Sequence, residues 1–160
     1  MIRLSPRPLA TRAWRVADME GALNGTIAAA MIRLANPAPA EHVLNLMSGS
    51  GTLLIEQALH GRVAQLVGAE INPDALERAR QNINAAGLQR RVALTRMDAV
   101  HPALARGVFD VLYADLPWGQ LVGSADENTV LYPVILRTAA ELARPGARLV
   151  IITHAIRLFE

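Results

Sequence analysis

Apolar segments of strand length alternate with amphipathic segments of helix length along most of this chain. The predicted strands cover residues 42–47, 63–69, 91–96, 108–114 and 147–153. The predicted helices cover residues 23–35, 52–60, 73–86 and 129–143, with a short turn near 100–105. Strands that alternate with helices form parallel sheets covered on both faces. We therefore predict a doubly wound, Rossmann-like α/β domain with a mainly parallel sheet.

The helix at residue 73 has the clearest predicted boundaries. Asn72 is a favourable N-cap, Pro73 fits the first turn, and Gly87 lies just past the expected end. Its apolar positions fall on one helical face, at Leu76, Ala79 and Ile83. These signals predict an amphipathic helix packed on the sheet.

Length and composition indicate one intracellular domain. The chain has 160 residues, 52% of them hydrophobic, and no cysteine. No apolar run is long enough for a membrane span, and the four histidines show no metal-ligand spacing. We expect a cytoplasmic protein without a metal site, divided into an irregular arm (1–21), a leading helix (22–36) and a core (41–160).

The last predicted strand ends only seven residues before the end of the chain. A strand in that place is expected at the edge of the sheet, with unpaired backbone groups. The sheet is therefore expected to lack its terminal strands. A homo-oligomer formed through this edge is a further expectation.

Arginine supplies all 16 basic residues. The first fifteen residues contain four arginines and no acid, namely Arg3, Arg7, Arg12 and Arg15. Arginine suits phosphate contacts, so this arm fits an RNA-backbone footprint. A solvated arm fits equally well.

Three successive strands end in residues suited to a nucleoside. The first strand leads into the glycine loop Ser48-Gly49-Ser50-Gly51-Thr52, where the backbone can pass close under a ligand and a helix start offers free N–H groups. Glu70 ends the second strand, where an acid accepts hydrogen bonds from ribose hydroxyls. Asp98 ends the third strand and either accepts from an adenine amine or caps the following turn.

The fourth strand ends in Asp115-Leu116-Pro117-Trp118-Gly119. A carboxylate, a proline carbonyl and a flat aromatic side chain together suit a planar amine, with two acceptors and a stacking surface. The carboxyl end of a strand is also where open α/β sheets bind ligands. The ordered set predicts a nucleoside site beside an amine-holding site.

These segments resemble the class I S-adenosylmethionine-dependent methyltransferases. The resemblance is carried by residues 44–56, 68–72, 98–99 and 115–119. Within that class, the Asp-Leu-Pro-Trp-Gly segment is most similar to the THUMP-associated tRNA guanine-N2 methyltransferases, and residues 7–9 and 21–31 resemble their lead-in segment. The resemblance implies S-adenosylmethionine as cofactor and RNA, most of all tRNA, as partner. It also implies RNA capture through a separate RNA-binding domain.

The resemblance also assigns residue roles. Gly49, Ser50, Gly51 and Thr52 would hold the methionine part of the cofactor, Glu70 the ribose, and Asp98 with Ala99 the adenine. Ile71 is also expected to bind the cofactor. Asp115, the Pro117 carbonyl and Trp118 would hold the target base. The family usually has an acid at Asn45, so we expect a weaker hold on the cofactor's ammonium region.

Two alternatives remain open. The first alternative is another amine methyltransferase, which acts on DNA adenine-N6, rRNA guanine-N2 or protein glutamine. Methyltransferases that act on adenine or glutamine have a sequence similar to Asn-Pro-Pro-aromatic at this site. This chain has Asp115 and Leu116 at the first two of these positions. A cofactor-binding fragment that is inactive without a partner is the second.

Overall fold

The computed structural model describes residues 8, 10–117 and 125–156. The helices are α1 (Gly25–Ala35), α2 (Thr52–His60), α3 (Pro73–Ala85) and α4 (Ala125–Leu142). The strands are β1 (His42–Leu46), β2 (Gln65–Glu70), β3 (Ala93–Arg96), β4 (Phe109–Asp115) and β5 (Ala143–Ile152). The strand order is β3-β2-β1-β4-β5, and every pair is parallel. The predicted doubly wound α/β fold is confirmed.

Helices cover both faces of the sheet. Successive residues of a strand point to opposite faces, so β1 sends Val43 into one apolar cluster and Leu44 into the other. The Val43 cluster includes side chains of α1, α2 and α3. The Leu44 cluster includes Tyr132, Ile135 and Ala139 of α4. This burial on both faces explains the almost continuous apolar character of β1 and β4.

The predicted ends of α3 are confirmed. The Asn72 side chain accepts hydrogen bonds from the backbone N–H groups of Asp74 and Ala75. At the other end Gly87 has a φ of +69°. The backbone N–H of Leu88 donates to the Ile83 carbonyl over 3.0 Å, which closes the last turn.

β5 lies at an edge of the sheet, as predicted, but begins four residues earlier than residue 147. It pairs Ala143 with Phe109 and then Arg148 with Val111, so its register shifts between these pairs. The intervening residues include Gly146, whose φ is +83°. Proline and glycine usually mark turns in a sequence, whereas here they form a bulge inside the strand.

The part of the chain that the structure describes contains no helix long and apolar enough to cross a bilayer. Within the same residues, no three histidine or acidic side chains converge as a metal site would require.

Candidate active site

The register of the sheet brings the predicted site residues to one edge. Ala69, Leu46 and Ala114 form one row across β2, β1 and β4. Glu70, the glycine loop and Asp115 follow that row in the chain and therefore share the carboxyl edge. Since neighbouring strands are about 4.8 Å apart, the backbones of Glu70 and Asp115 are separated by roughly 10 Å.

The glycine loop lies tightly between α3 and the N-terminal arm. Gly49 and Gly51 have φ angles of +52° and +84°, a region that favours glycine. A Cβ on Gly51 would lie 3.2 Å from the Ala79 Cβ, and one on Gly49 would lie 3.1 Å from the Met19 Cε. The backbone at both positions therefore carries no side chain and packs closely against Ala79 or Met19.

Glu70 ties this loop to the start of α3. Its Oε2 accepts from the Gly49 backbone N–H at 2.9 Å, and its Oε1 accepts from the Asn72 N–H at 3.0 Å. A carboxylate has about four acceptor positions. Glu70 is only half-buried, so it keeps acceptor capacity for ligand hydroxyls while it shapes the loop.

Asp98 caps the turn that follows β3. Its carboxylate accepts from the Val100 backbone N–H at 2.9 Å and pairs with the His101 Nδ1 at 3.2 Å. The Val100 N–H, and after it His101, hold the pKa of Asp98 below its usual value. The neighbouring Ala99 carbonyl accepts from the Thr138 hydroxyl at 2.6 Å. The capping alternative is therefore observed, and contact with adenine stays a prediction.

Asn45 is only 2% exposed within β1. The carboxamide orientation that its surroundings support has the nitrogen donating to the Leu46 carbonyl at 3.1 Å and the Tyr113 carbonyl at 3.3 Å. An ionised aspartate would instead place oxygen against these two carbonyls. The asparagine thus suits its local surroundings, which the sequence did not show.

The segment after β4 is fixed by contacts on two sides. The Leu116 backbone N–H donates to the Ile152 carbonyl over 3.0 Å, and its side chain is 1% exposed. The Pro117 carbonyl accepts hydrogen bonds from Asn128 and Tyr132 of α4. Asp115 is half-buried at the end of β4. Trp118 lies outside the described residues.

Two arginines of the N-terminal arm make internal contacts. The Arg12 guanidinium pairs with Glu56 of α2 at 2.5 Å. Arg15 donates to the Leu23 carbonyl at 2.7 Å and to the Thr52 Oγ1 at 3.0 Å. The alternative prediction of a solvated arm is therefore wrong for Arg12 and Arg15. The other two arginines of the predicted RNA footprint lie outside the described residues.

Asn82 of α3 is a site residue that the sequence did not identify. Its side chain is fully buried and contacts both the arm and the Ser50 carbonyl. The available signal was its position three residues after Ala79, on the buried helical face. Tyr132 is a second residue that the sequence did not identify, and its hydroxyl donates to the Pro117 carbonyl.

A family model described as the RMKL-like methyltransferase domain matches residues 12–160. The chain belongs to this methyltransferase family. The match includes every element from α1 to β5. The prediction that this chain is a methyltransferase domain is therefore confirmed.

Two curated relatives carry names that agree with the predicted guanine-N2 subgroup. The chain is 31% identical to the tRNA (guanine(6)-N2)-methyltransferase of Thermus thermophilus over 95% of its own length and 45% of that protein. It is 34% identical to the U6 snRNA (guanine-N(2))-methyltransferase THUMPD2 of Bos taurus over 71% of its length and 22% of that protein. The chain thus spans less than half the length of the curated relatives it matches.

A solved structure agrees with the sequence comparisons. The crystal structure of TrmN from Thermus thermophilus superposes with a TM-score of 0.84 at 30% identity. The superposition covers 97% of this chain and 45% of TrmN. Nearly the whole of this chain therefore shares its fold with part of TrmN.

Proposed function

We propose that this chain is the catalytic domain of an S-adenosylmethionine-dependent RNA methyltransferase that modifies the N2 amine of a guanine in tRNA. The observation that carries the proposal is the shared edge at which Glu70, the glycine loop and Asp115 meet. The relatives named above support guanine-N2 as the target, and one of them acts on tRNA.

The glycine loop and its neighbours fit the cofactor. The backbone at Gly49 and Gly51 carries no side chain and lies beside the start of α2, so it suits the methionine part of the cofactor. Glu70 keeps acceptor capacity for the ribose hydroxyls. Ile71 is 53% exposed directly after Glu70 and offers an apolar surface to the adenosine. When bound, S-adenosylmethionine carries an electrophilic methyl group on a sulfonium.

The same proposal gives the remaining cofactor residues narrower roles. The Ser50 carbonyl and the Thr52 hydroxyl are already engaged by Asn82 and Arg15. These two residues therefore shape the loop with their engaged groups and offer backbone N–H groups to the ligand. Asp98 and Ala99 border the adenine, and Asn45 supports the strand beneath the ammonium region.

Asp115 acts on the target amine. The lone pair of a guanine N2 amine is delocalised into the ring, which makes the nitrogen a poor nucleophile. A carboxylate that accepts one amine hydrogen favours a pyramidal nitrogen with its lone pair directed at the methyl group. Bound S-adenosylmethionine would supply the methyl group and leave as its thioether product, and Asp115 would take the proton that the nitrogen then loses. In-line placement of two reactants contributes roughly 7–11 kcal/mol to barrier reduction.

The proposal has two further parts. Trp118 stacks on a base that is splayed out of its helix, as enzymes acting on a nucleobase require. RNA is captured through a domain outside these 160 residues, since the relatives are more than twice as long. A cytoplasmic location is the corresponding prediction, because tRNA is the proposed substrate.

Methyl transfer to defined RNAs tests the proposal. The full-length protein is incubated with labelled S-adenosylmethionine and either unmodified tRNA or U6 snRNA, and the product is digested to nucleosides. N2-methylguanosine from tRNA is the expected product. The same nucleoside from U6 snRNA alone would change the RNA class, since one relative acts on that RNA. Methyladenosine, or cofactor binding without transfer, would contradict the proposal.

A further inference from the structure

The Pro117 carbonyl is held by two side chains of α4. Asn128 Nδ2 donates to it at 2.9 Å, and the Tyr132 hydroxyl lies 2.5 Å away. Asn128 and Tyr132 are four residues apart, so both lie on one face of the helix. The two residues are 1% and 2% exposed, and their hydrogen bonds to Pro117 are partly buried.

The Tyr132 bond has a fixed direction. A carbonyl oxygen only accepts, so Tyr132 must donate its single proton to Pro117. The Thr153 Oγ1 lies 2.8 Å from the Tyr132 oxygen and must therefore donate to it. Thr153 in turn accepts from the Ala155 backbone N–H at 3.0 Å. One ordered chain of hydrogen bonds thus joins the end of β5 to the segment after β4.

Both acceptor positions of the Pro117 carbonyl are occupied by this arrangement. A carbonyl oxygen has two lone pairs, and Asn128 and Tyr132 take one each. A substrate amine could bind there only by displacing one of them. The predicted role of this carbonyl, as an acceptor for the substrate amine, therefore competes with two partly buried hydrogen bonds.

The Asn128 Oδ1 is buried and has no hydrogen-bond partner among the residues that the structure describes. A buried acceptor without a partner is unfavourable, and native proteins contain few such groups. The favourable use of this side chain is the bond from its Nδ2 to Pro117.

We propose that the Pro117 carbonyl anchors residues 115–117, the catalytic segment. Asn128, Tyr132 and Thr153 are then positioning residues for Asp115. This inference rests on the proposed function, because Asp115 is its proposed catalytic group. Asp115 is two residues before Pro117, so a fixed Pro117 carbonyl limits the freedom of the backbone that carries the carboxylate. Amine recognition through the backbone then uses a group other than this carbonyl.

The test compares two buried tyrosines that differ in what they hold. Tyr132→Phe removes the bond to Pro117. Tyr113→Phe is the matched control, because Tyr113 is fully buried and its hydroxyl donates to Gln57 Oε1 at 3.0 Å, away from the catalytic segment. Thr153→Val removes the donor to Tyr132, and Thr153→Ser keeps it.

We expect Tyr132→Phe and Thr153→Val to lower the single-turnover methyl-transfer rate at least tenfold at saturating RNA. Their dissociation constants for S-adenosylmethionine should stay within twofold of the parent value. Tyr113→Phe and Thr153→Ser should keep the parental rate. Equal rates for Tyr132→Phe and Tyr113→Phe, measured with both proteins fully folded, would overturn the proposal.

A second measurement does not depend on activity. Trp118 directly follows Pro117 in the sequence, and the other tryptophan, Trp14, is 7% exposed and common to all variants. Acrylamide quenching should increase in Tyr132→Phe and stay unchanged in Tyr113→Phe. If quenching changes in this way but the parent transfers no methyl group, the anchor holds and the proposed function fails. Unchanged quenching in Tyr132→Phe would refute the anchor.

Discussion

Asn82 joins Ser50 in the glycine loop to the N-terminal arm through one buried side chain. Its Nδ2 donates to the Ser50 carbonyl at 3.1 Å and to the Ala17 carbonyl at 2.9 Å. Its Oδ1 accepts from the backbone N–H groups of Val16 and Ala17, both at 2.9 Å. The arm is therefore part of the support of the loop.

Replacing Asn82 by aspartate should destabilise the fold and weaken cofactor binding together. Asn82→Asp keeps both acceptor bonds but leaves the Ser50 and Ala17 carbonyls without their donor. Each unsatisfied buried group costs about 1–3 kcal/mol. Urea unfolding and calorimetry with S-adenosylmethionine measure the two effects. Asn84→Asp, at an exposed position of the same helix, is the control. Unchanged values for Asn82→Asp would show that the link is dispensable.

Glu70→Gln should weaken binding of S-adenosylmethionine by about 1.5–3 kcal/mol, the usual contribution of hydrogen bonds to a charged group. Glutamine keeps one oxygen acceptor for the Gly49 or Asn72 N–H but presents an NH₂ group at the other. A smaller loss of unfolding free energy should therefore accompany the loss of affinity. Isothermal titration calorimetry gives the affinity, with the exposed Glu77→Gln as control. Normal affinity would exclude Glu70 from the ribose site.

Asp115→Ala should abolish methyl transfer and leave cofactor affinity unchanged, because the carboxylate is placed to meet the amine. Preorganised polar groups of this kind contribute roughly 2.7–4 kcal/mol to a catalytic step. Asp115→Asn keeps an acceptor without the charge, so an intermediate rate would separate orientation of the amine from proton removal. Asp110→Asn, at the opposite end of β4, is the control. Full activity of Asp115→Ala would remove Asp115 from the mechanism.

Acid should destabilise the fold partly through Asp110. The His42 backbone N–H, supported by Arg144, holds the pKa of Asp110 below its usual value. A carboxyl whose pKa is lowered in the folded state stabilises the fold above its unfolded pKa, near 4. That contribution is lost as the pH falls through the lower folded pKa. The free energy of unfolding should therefore decrease below about pH 4, and less steeply in Asp110→Asn. Identical pH profiles would disprove the assignment.

Self-association through β5 stays a prediction. The strand lies at the sheet edge, and Leu149 on it is 39% exposed. Unpaired edge strands pair with other chains, and a charge on them opposes this. Leu149→Lys should therefore lower the apparent mass in light scattering, whereas Leu34→Lys on α1, at a 77% exposed position, should not. A dilution-independent monomer of the parent chain would contradict the expectation.

Local signals predicted most of the fold. Asn72, Pro73 and Gly87 defined α3, because capping depends on residues only a few positions apart. Glycine-rich sequence after an apolar strand predicted the loop at Gly49 and Gly51. The bulge in β5 was missed because proline and glycine have the same sequence appearance in a bulge as in a turn.

The order of strands and helices along the chain was predictable, because periodicity and capping are local properties. That order is what brings Glu70 and Asp115 to one edge of the sheet. The hydrogen-bond partners of the polar groups, in contrast, became known from the folded structure alone. Asn82 and Ala17 are 65 positions apart in the chain, and Arg12 and Glu56 are 44 apart. Such pairs depend on the path of the whole backbone, so no local pattern identifies them.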